Sequence, residues 1–293
     1  MRTCLNLRLI LLVVLILSLP GLVIAESAPT ANATEATIAQ AQHQITAYLD
    51  RLADLHCTES VTQEKISPSG HVEATERGKY DYLIMMSGSG DEFQLNESRI
   101  ESASAHNKQL QLPMLVTNGV ATVLLVFHPY YRDGFAFEAD NPETVNGNSA
   151  IPVHFTHIAG RRTPAALALR GREYPLELQG TAWLDSRTGE VLKVEASLLH
   201  DMSDVGLRSL QIHVEYKPLT PSKDVGPLTL PALAVVDVAT PRQHWRNTHV
   251  FENYRGFSIE AEQDPNVKVK PVEKNSDGAS SPEAIPTSNK EKQ

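Results

Sequence analysis

The chain has 293 residues, 26 of them basic and 35 acidic, and a formal net charge of −9. That balance excludes a surface of clustered Lys and Arg, and with it nucleic-acid binding and strong attraction to an anionic membrane face. Two cysteines, Cys4 and Cys57, exclude a disulfide-stapled scaffold, and a chain this long buries enough apolar surface without one.

Arg2 and Arg8 make a basic start, and Leu9 to Leu19 is apolar apart from Ser18. Pro20-Gly21 then breaks the run, and Val23-Ile24-Ala25 places small or branched residues before Glu26. These are the parts of a secretory signal peptide over residues 1–25, with cleavage expected near Ala25 and a periplasmic or secreted destination. The apolar run is shorter than the roughly 20 residues of a bilayer span, so no permanent membrane span is expected after cleavage. Cys4 precedes the apolar run and so is not placed to carry a lipid. Loss of residues 1–25 removes two arginines and no acid, which takes the formal charge from −9 to about −11. The remaining Cys57 reads as a small buried hydrophobe, with an intermolecular bridge as the alternative.

Residues 26–36, rich in Ala and Thr, read as a flexible leader, followed by a single domain over 37–260. From Thr37 to His56, apolar side chains at Ile38, Ala41, Ile45, Leu49, Leu52 and Leu55 recur at steps of three and four, which predicts an amphipathic helix lying on a sheet. Period two then takes over: strands are expected at Cys57–Ser67, His71–Met86 and Glu92–Ile100, forming a meander. Met114–Phe127 is almost wholly apolar and too short to span a membrane, which predicts a buried covering helix closed by Pro129 and weakened at Gly119. After a loop over 140–150, strands are expected near Ile151–Ile158, Tyr174–Leu184, Glu190–Leu199, Leu207–Lys217, Leu230–Thr240 and Gln243–Tyr254. Residues 261–293 hold almost no large apolar side chain and predict a disordered tail, because nothing there offsets the entropy of ordering. The fold class is α+β: a curved antiparallel sheet, or half-open β-barrel, with an N-terminal helix and a covering apolar helix.

No residues form a recognisable catalytic set, metal set or cofactor motif. Gly88–Phe93 spells a variant of the diguanylate cyclase signature but lacks the βαββ surroundings, and reads as turn chemistry. His154 and His157 lie three apart on a strand and point to opposite faces, as do His244 and His249 by the same parity. In the hairpin Gly180–Val194, Asp185 and Gly189 shape the turn, with Asp bonding its own backbone and Gly taking a positive φ. Trp183 falls on the more polar face of that hairpin, either as a cross-strand packing residue at a sheet edge or as a surface aromatic for recognition. Trp245 and Arg246 form a second candidate for surface recognition, with Arg246 held by an acid of the same sheet as the alternative.

The succession GTAWLDSRTGEVLKVEA, LQIHVEYKPL, a strand entered through Leu230-Pro231 and a closing HVFENYRGF resembles the C-terminal half of the periplasmic outer-membrane lipoprotein-sorting family. The helix, the meander and the apolar Met114–Phe127 segment fit the order of that family's N-terminal part. The resemblance implies a curved sheet around an apolar cavity suited to an acyl chain, with a lipid or a lipidated protein as partner. The apolar Met114–Phe127 segment itself offers Leu115, Val116, Val120, Val123, Leu124 and Phe127 as candidate cavity or cover residues. The expected function is a non-enzymatic exported binding or carrier protein; the alternative is an envelope-associated protein-interaction module without a small ligand. Neither reading sets the oligomeric state.

Overall fold

The computed structural model describes residues 31–52, 55–87, 94–101, 115–219 and 228–256. The expected signal peptide, the Gly88–Phe93 string and the tail over 261–293 lie outside these residues.

Helix α1 (Ala31–Leu52) buries Ile38, Ala41, Ile45, Leu49 and Leu52, the stripe its sequence spacing predicts. It starts earlier than expected: residues 31–36, read as leader, are its first turns. It also stops earlier, because His56 belongs to the next strand, where Leu55 is still buried. The strands are β1 (Leu55–Ile66), β2 (Val72–Ser87), β3 (Gln94–Glu101), β4 (Phe135–Ala139), β5 (Glu143–Val145), β6 (Asn148–His157), β7 (Ala166–Leu169) and β8 (Arg172–Pro175), then β9 (Leu178–Asp185), β10 (Val191–Leu198), β11 (Ser209–Leu219), β12 (Leu228–Ala239) and β13 (His244–Gly256).

Eleven of these strands form one antiparallel sheet, in the order β3-β2-β1-β13-β12-β11-β10-β9-β6-β4 with β5 paired to β6. The sheet is open and curved, and is not closed into a barrel. The first three strands form the expected meander, and β13 returns to lie beside β1, so the first and last of the described strands pair in mid-sheet. Alternation sets the faces. On β11, Leu210, Val214 and Tyr216 are buried while Gln211 is exposed, and they join α1 in one core.

The β9–β10 turn forms as its chemistry dictates. Asp185 Oδ1 accepts from the Arg187 and Thr188 amides at 2.9 Å each, and Gly189 has φ 73°. Buried Leu178, Ala182 and Leu184 then share a face with buried Val194 and Ala196.

Three expectations are corrected. The strand expected over Tyr174–Leu184 is two: β8 pairs only with β7 in a separate two-stranded sheet, and β9 enters the main sheet. Pro175, which has no amide to donate, ends β8, and the Leu176 amide turns to the Ala165 carbonyl at 2.9 Å. The 140–150 loop contains β5 and the start of β6, joined through Asn146 and Gly147 at positive φ. The apolar covering segment is not one α-helix from Met114. Leu115–Gly119 is irregular, Val120–Phe127 is a 3₁₀ helix, and a four-residue helix α2 (Pro129–Arg132) follows. Gly119, at φ 74°, sits at the 3₁₀ helix's N-cap, a backbone conformation that no α-helix continues through. No helix among the described residues is long and apolar enough to cross a membrane.

Candidate functional site

The 3₁₀ geometry decides what the covering segment does. With three residues per turn, side chains at i and i+3 stack in rows. Val120 and Val123 fall in one row and line a cavity of about 660 Å³, together with Leu115, Val116 and Leu125. Leu124 and Phe127 fall in another row and face the core: Phe127 is fully buried, with its ring centroid 5.1 Å from Phe137 and 6.1 Å from Phe155. So four of the six expected cavity residues line the cavity, and Leu124 and Phe127 hold its wall from behind. Leu125, which sequence reasoning passed over, belongs to the lining.

The cavity floor is the inner face of the sheet, including Leu210, Val236 and Val238, and its far side is the β7–β8 arm with Leu167. Val116 is 70% exposed on the rim. The lining is thus aliphatic on the floor and open to solvent at one lip.

A buried polar network holds that lip to the sheet. Glu59 of β1 is fully buried and is gripped by both arms of Arg99 of β3, with Arg99 Nη2 donating to Oε1 at 2.8 Å and Nε to Oε2. Glu59 Oε1 also takes a hydrogen bond from His249 Nδ1 of β13 at 2.8 Å. On its other side, His249 Nε2 lies 2.7 Å from the Thr117 hydroxyl oxygen. Asn247 Nδ2 donates to the Leu115 carbonyl at 2.7 Å and to Thr117 Oγ1 at 3.0 Å. Gln63 Nε2 donates to the same Leu115 carbonyl, and Arg99 Nη1 to Asn118 Oδ1. An irregular segment with few ladder bonds of its own is thereby tied to β1, β3 and β13.

Burial, the largest single influence, would push the Glu59 carboxyl up, but the hydrogen bonds and charges of Arg99 and His249 outweigh it and hold the group below its ordinary value. The signal for this network was present in the sequence. Glu59 interrupts the inward parity of Cys57 and Val61, and His249 stands between Asn247 and Phe251 on the inward parity of β13.

The expected recognition residues are not gathered at the cavity. Trp183 lies on β9, an internal strand between β10 and β6 and not a sheet edge. Its indole N–H donates to Glu143, and Lys193 Nζ sits 3.7 Å from the ring centroid. Arg246 is held by Asp237, with Nε 3.2 Å from each carboxylate oxygen. Trp245, its neighbour on β13, takes the opposite face, and its Nε1 is buried without a hydrogen bond.

The histidine parities hold. His154 bonds Thr181 at 2.8 Å and Asp140 at 2.9 Å, whereas His157 is buried with Nε2 3.1 Å from the Arg161 carbonyl. His244 reaches Asp237 at 2.9 Å, and His249 lies in the inner network. Among the described residues no group of three or more His, Cys, Asp or Glu is placed to hold a metal.

No family model matches the chain, and no curated protein does. Among solved structures, the chain is similar to a DUF1329 family protein from Desulfovibrio piger, at 12% identity over 76% of this chain and 92% of that one, with TM-score 0.39. It is also similar to a putative outer membrane lipoprotein-sorting protein domain from Vibrio parahaemolyticus, at 12% identity over 80% of this chain and 97% of that one, with TM-score 0.41.

Proposed function

We propose that the protein is an exported, non-enzymatic carrier that holds the acyl chain of a lipid or lipidated protein in its inner cavity. The observation that carries this reading is the cavity of about 660 Å³ between the 115–125 segment and the aliphatic floor of Leu210, Val236 and Val238. Its size falls within the roughly 300–1,000 Å³ of small-molecule sites. Each methylene buried there contributes about 0.8 kcal/mol, so an apolar chain binds without any specific polar contact. The signal peptide, the single domain and the tail remain part of this proposal, with delivery to the periplasm or the exterior.

Native mass spectrometry of protein recovered from the cell envelope tests it. Co-purified lipid in the wild type and its loss in Val236→Glu support the carrier. A wild type that carries no lipid, and takes up none from mixed vesicles, leaves the interaction module in its place.

One observation favours a second reading. Thr117, His249 and Glu59 stand in the hydroxyl–imidazole–carboxylate order of nucleophilic hydrolases. Against it, the Thr117 oxygen already accepts the Asn247 amide, and the Arg99 guanidinium offsets the Glu59 charge that would stabilise an imidazolium. Hydrolysis of a p-nitrophenyl acyl ester by the wild type, absent in Thr117→Val, would establish the hydrolase.

A further inference from the structure

The acidic balance of the whole chain does not hold locally, and the expectation that no basic surface forms is corrected at one place. Residues 158–175 carry four arginines against one acid, Glu173, in a chain of formal charge −9. Arg161, Arg162, Arg170 and Arg172 are all exposed. Unlike Arg132, which Glu35 holds, none of the four meets a carboxylate among the described residues. Asp133 lines a groove with Arg161 without forming an ion pair with it. Arg162 lies over the Tyr130 ring, its Cζ 4.5 Å from the centroid, a contact that leaves the positive charge in place.

The fold carries two of these arginines to the end of an arm. β7 and β8 pair with each other and with no other strand, and they turn through Arg170 and Gly171 at φ 52° and 75°. Such a turn favours Asn or Asp before the Gly, yet an arginine holds that place. Leu169, just before the turn, is 38% exposed. The foot of the arm is fixed: the Thr163 hydroxyl donates to the Leu176 carbonyl at 2.7 Å, and the Leu176 amide to the Ala165 carbonyl at 2.9 Å. Its flank, with Leu167, borders the inner cavity. Guanidinium forks match phosphate oxygens, and an aliphatic neighbour gains by entering an acyl boundary, which an acidic soluble partner does not offer. We infer that the β7–β8 arm docks on an anionic phospholipid bilayer, with Arg170 and Arg172 on lipid phosphates and Leu169 in the acyl boundary. Arg161 and Arg162 add attraction over a longer range. Docking does not depend on the carrier reading; it sets the cavity beside a bilayer.

Flotation of protein recovered from the cell envelope tests this, with vesicles of phosphatidylcholine alone or mixed with phosphatidylglycerol. The wild type should float with the anionic vesicles at low salt and be released at about 0.5 M salt. Each arginine near an anionic surface contributes about fivefold, so Arg170→Gln with Arg172→Gln should weaken partition to anionic vesicles by about twentyfold. Partition to neutral vesicles should not change. Emission of Leu169→Trp should shift to the blue on anionic vesicles by more than that of the wild type, which has two tryptophans of its own. Equal partition of wild type and double variant, or no added shift in Leu169→Trp, would overturn the inference. Binding to polyglutamate but not to vesicles would overturn it too, and assign the arginines to an acidic protein. Should the variants not fold, the wild type's salt-dependent preference for anionic over neutral vesicles decides alone. A wild type that docks but carries no lipid keeps the arm's role and removes the carrier; one that carries lipid and does not dock does the reverse.

Discussion

His249 Nδ1 lies 2.8 Å from Glu59 Oε1 across 190 positions of sequence, and with Arg99 it joins β13, β1 and β3 through one buried carboxylate. Breaking a buried pair from one side leaves an uncompensated charge, which costs about 3–5 kcal/mol. Glu59→Gln and Arg99→Met should each destabilise by about 3 kcal/mol in urea unfolding. The double variant should fall short of the sum by about 1 kcal/mol or more, because the second change removes the charge that the first one strands. Strict additivity would mean that the two side chains do not depend on each other.

The same pair sets an acid limb. The Glu59 carboxyl is held below its ordinary 4.5, so the folded chain binds fewer protons than the unfolded one. Its contribution is therefore whole above about pH 4.5 and is lost as the pH falls through the depressed folded value. Asp185 acts with the same sign. Burial raises it, the Thr188 and Arg187 amides outweigh that, and the group ends below its ordinary 3.8. It sits in an open turn, where its share is small. Urea midpoints measured from about pH 7 down to about pH 3 should fall more steeply in the wild type than in Glu59→Gln. Parallel curves would assign the acid sensitivity elsewhere.

Phe127, at the last position of the 3₁₀ helix, and Val116, four residues before that helix starts, should separate wall from rim. Phe127 is fully buried between Phe137 and Phe155, and Phe127→Ala should cost about 4 kcal/mol through the void it leaves. Val116 is 70% exposed, and Val116→Ala should change stability by no more than about 0.5 kcal/mol. Thermal melts of both variants check this, and a Val116→Ala loss as large as that of Phe127→Ala would place Val116 in the core.

Where a segment's own period reports its surroundings, the sequence was legible. The α1 stripe, the β11 alternation and the Asp185–Gly189 turn all follow from local rules. The β5–β6 hairpin was read as loop although Asn146-Gly147 is a strong two-residue turn signal, because three-residue β5 carries too little alternation to support it. The covering segment was not, because Val120–Phe127, apolar except for Thr122, has no polar face to show whether the period is 3.0 or 3.6. That choice decides whether Leu124 and Phe127 face the cavity or the core. The Glu59–Arg99–His249 network was least legible of all. Inward polar residues on three separate strands become a site only once β13 is known to return beside β1.

Cys57 gives the last prediction. It lies on β1, two residues before Glu59, and is 3% exposed. Burial, the largest influence, pushes its thiol up; Tyr254 pulls it down, the Glu59 charge pushes it up again, and the result is about 12. At neutral pH the thiolate is scarce and no reagent reaches the sulfur, so this cysteine should behave as core and not as a linkage point. With Cys4→Ser as background, a thiol-exchange reagent should label Cys57 only as fast as the chain opens, and the rate should rise with urea along the unfolding transition. Non-reducing electrophoresis should show no disulfide-linked dimer. Labelling within the mixing time in native buffer, or an oxidised dimer, would show that β1 presents its inward face to solvent and that the sheet's core is not closed at this position.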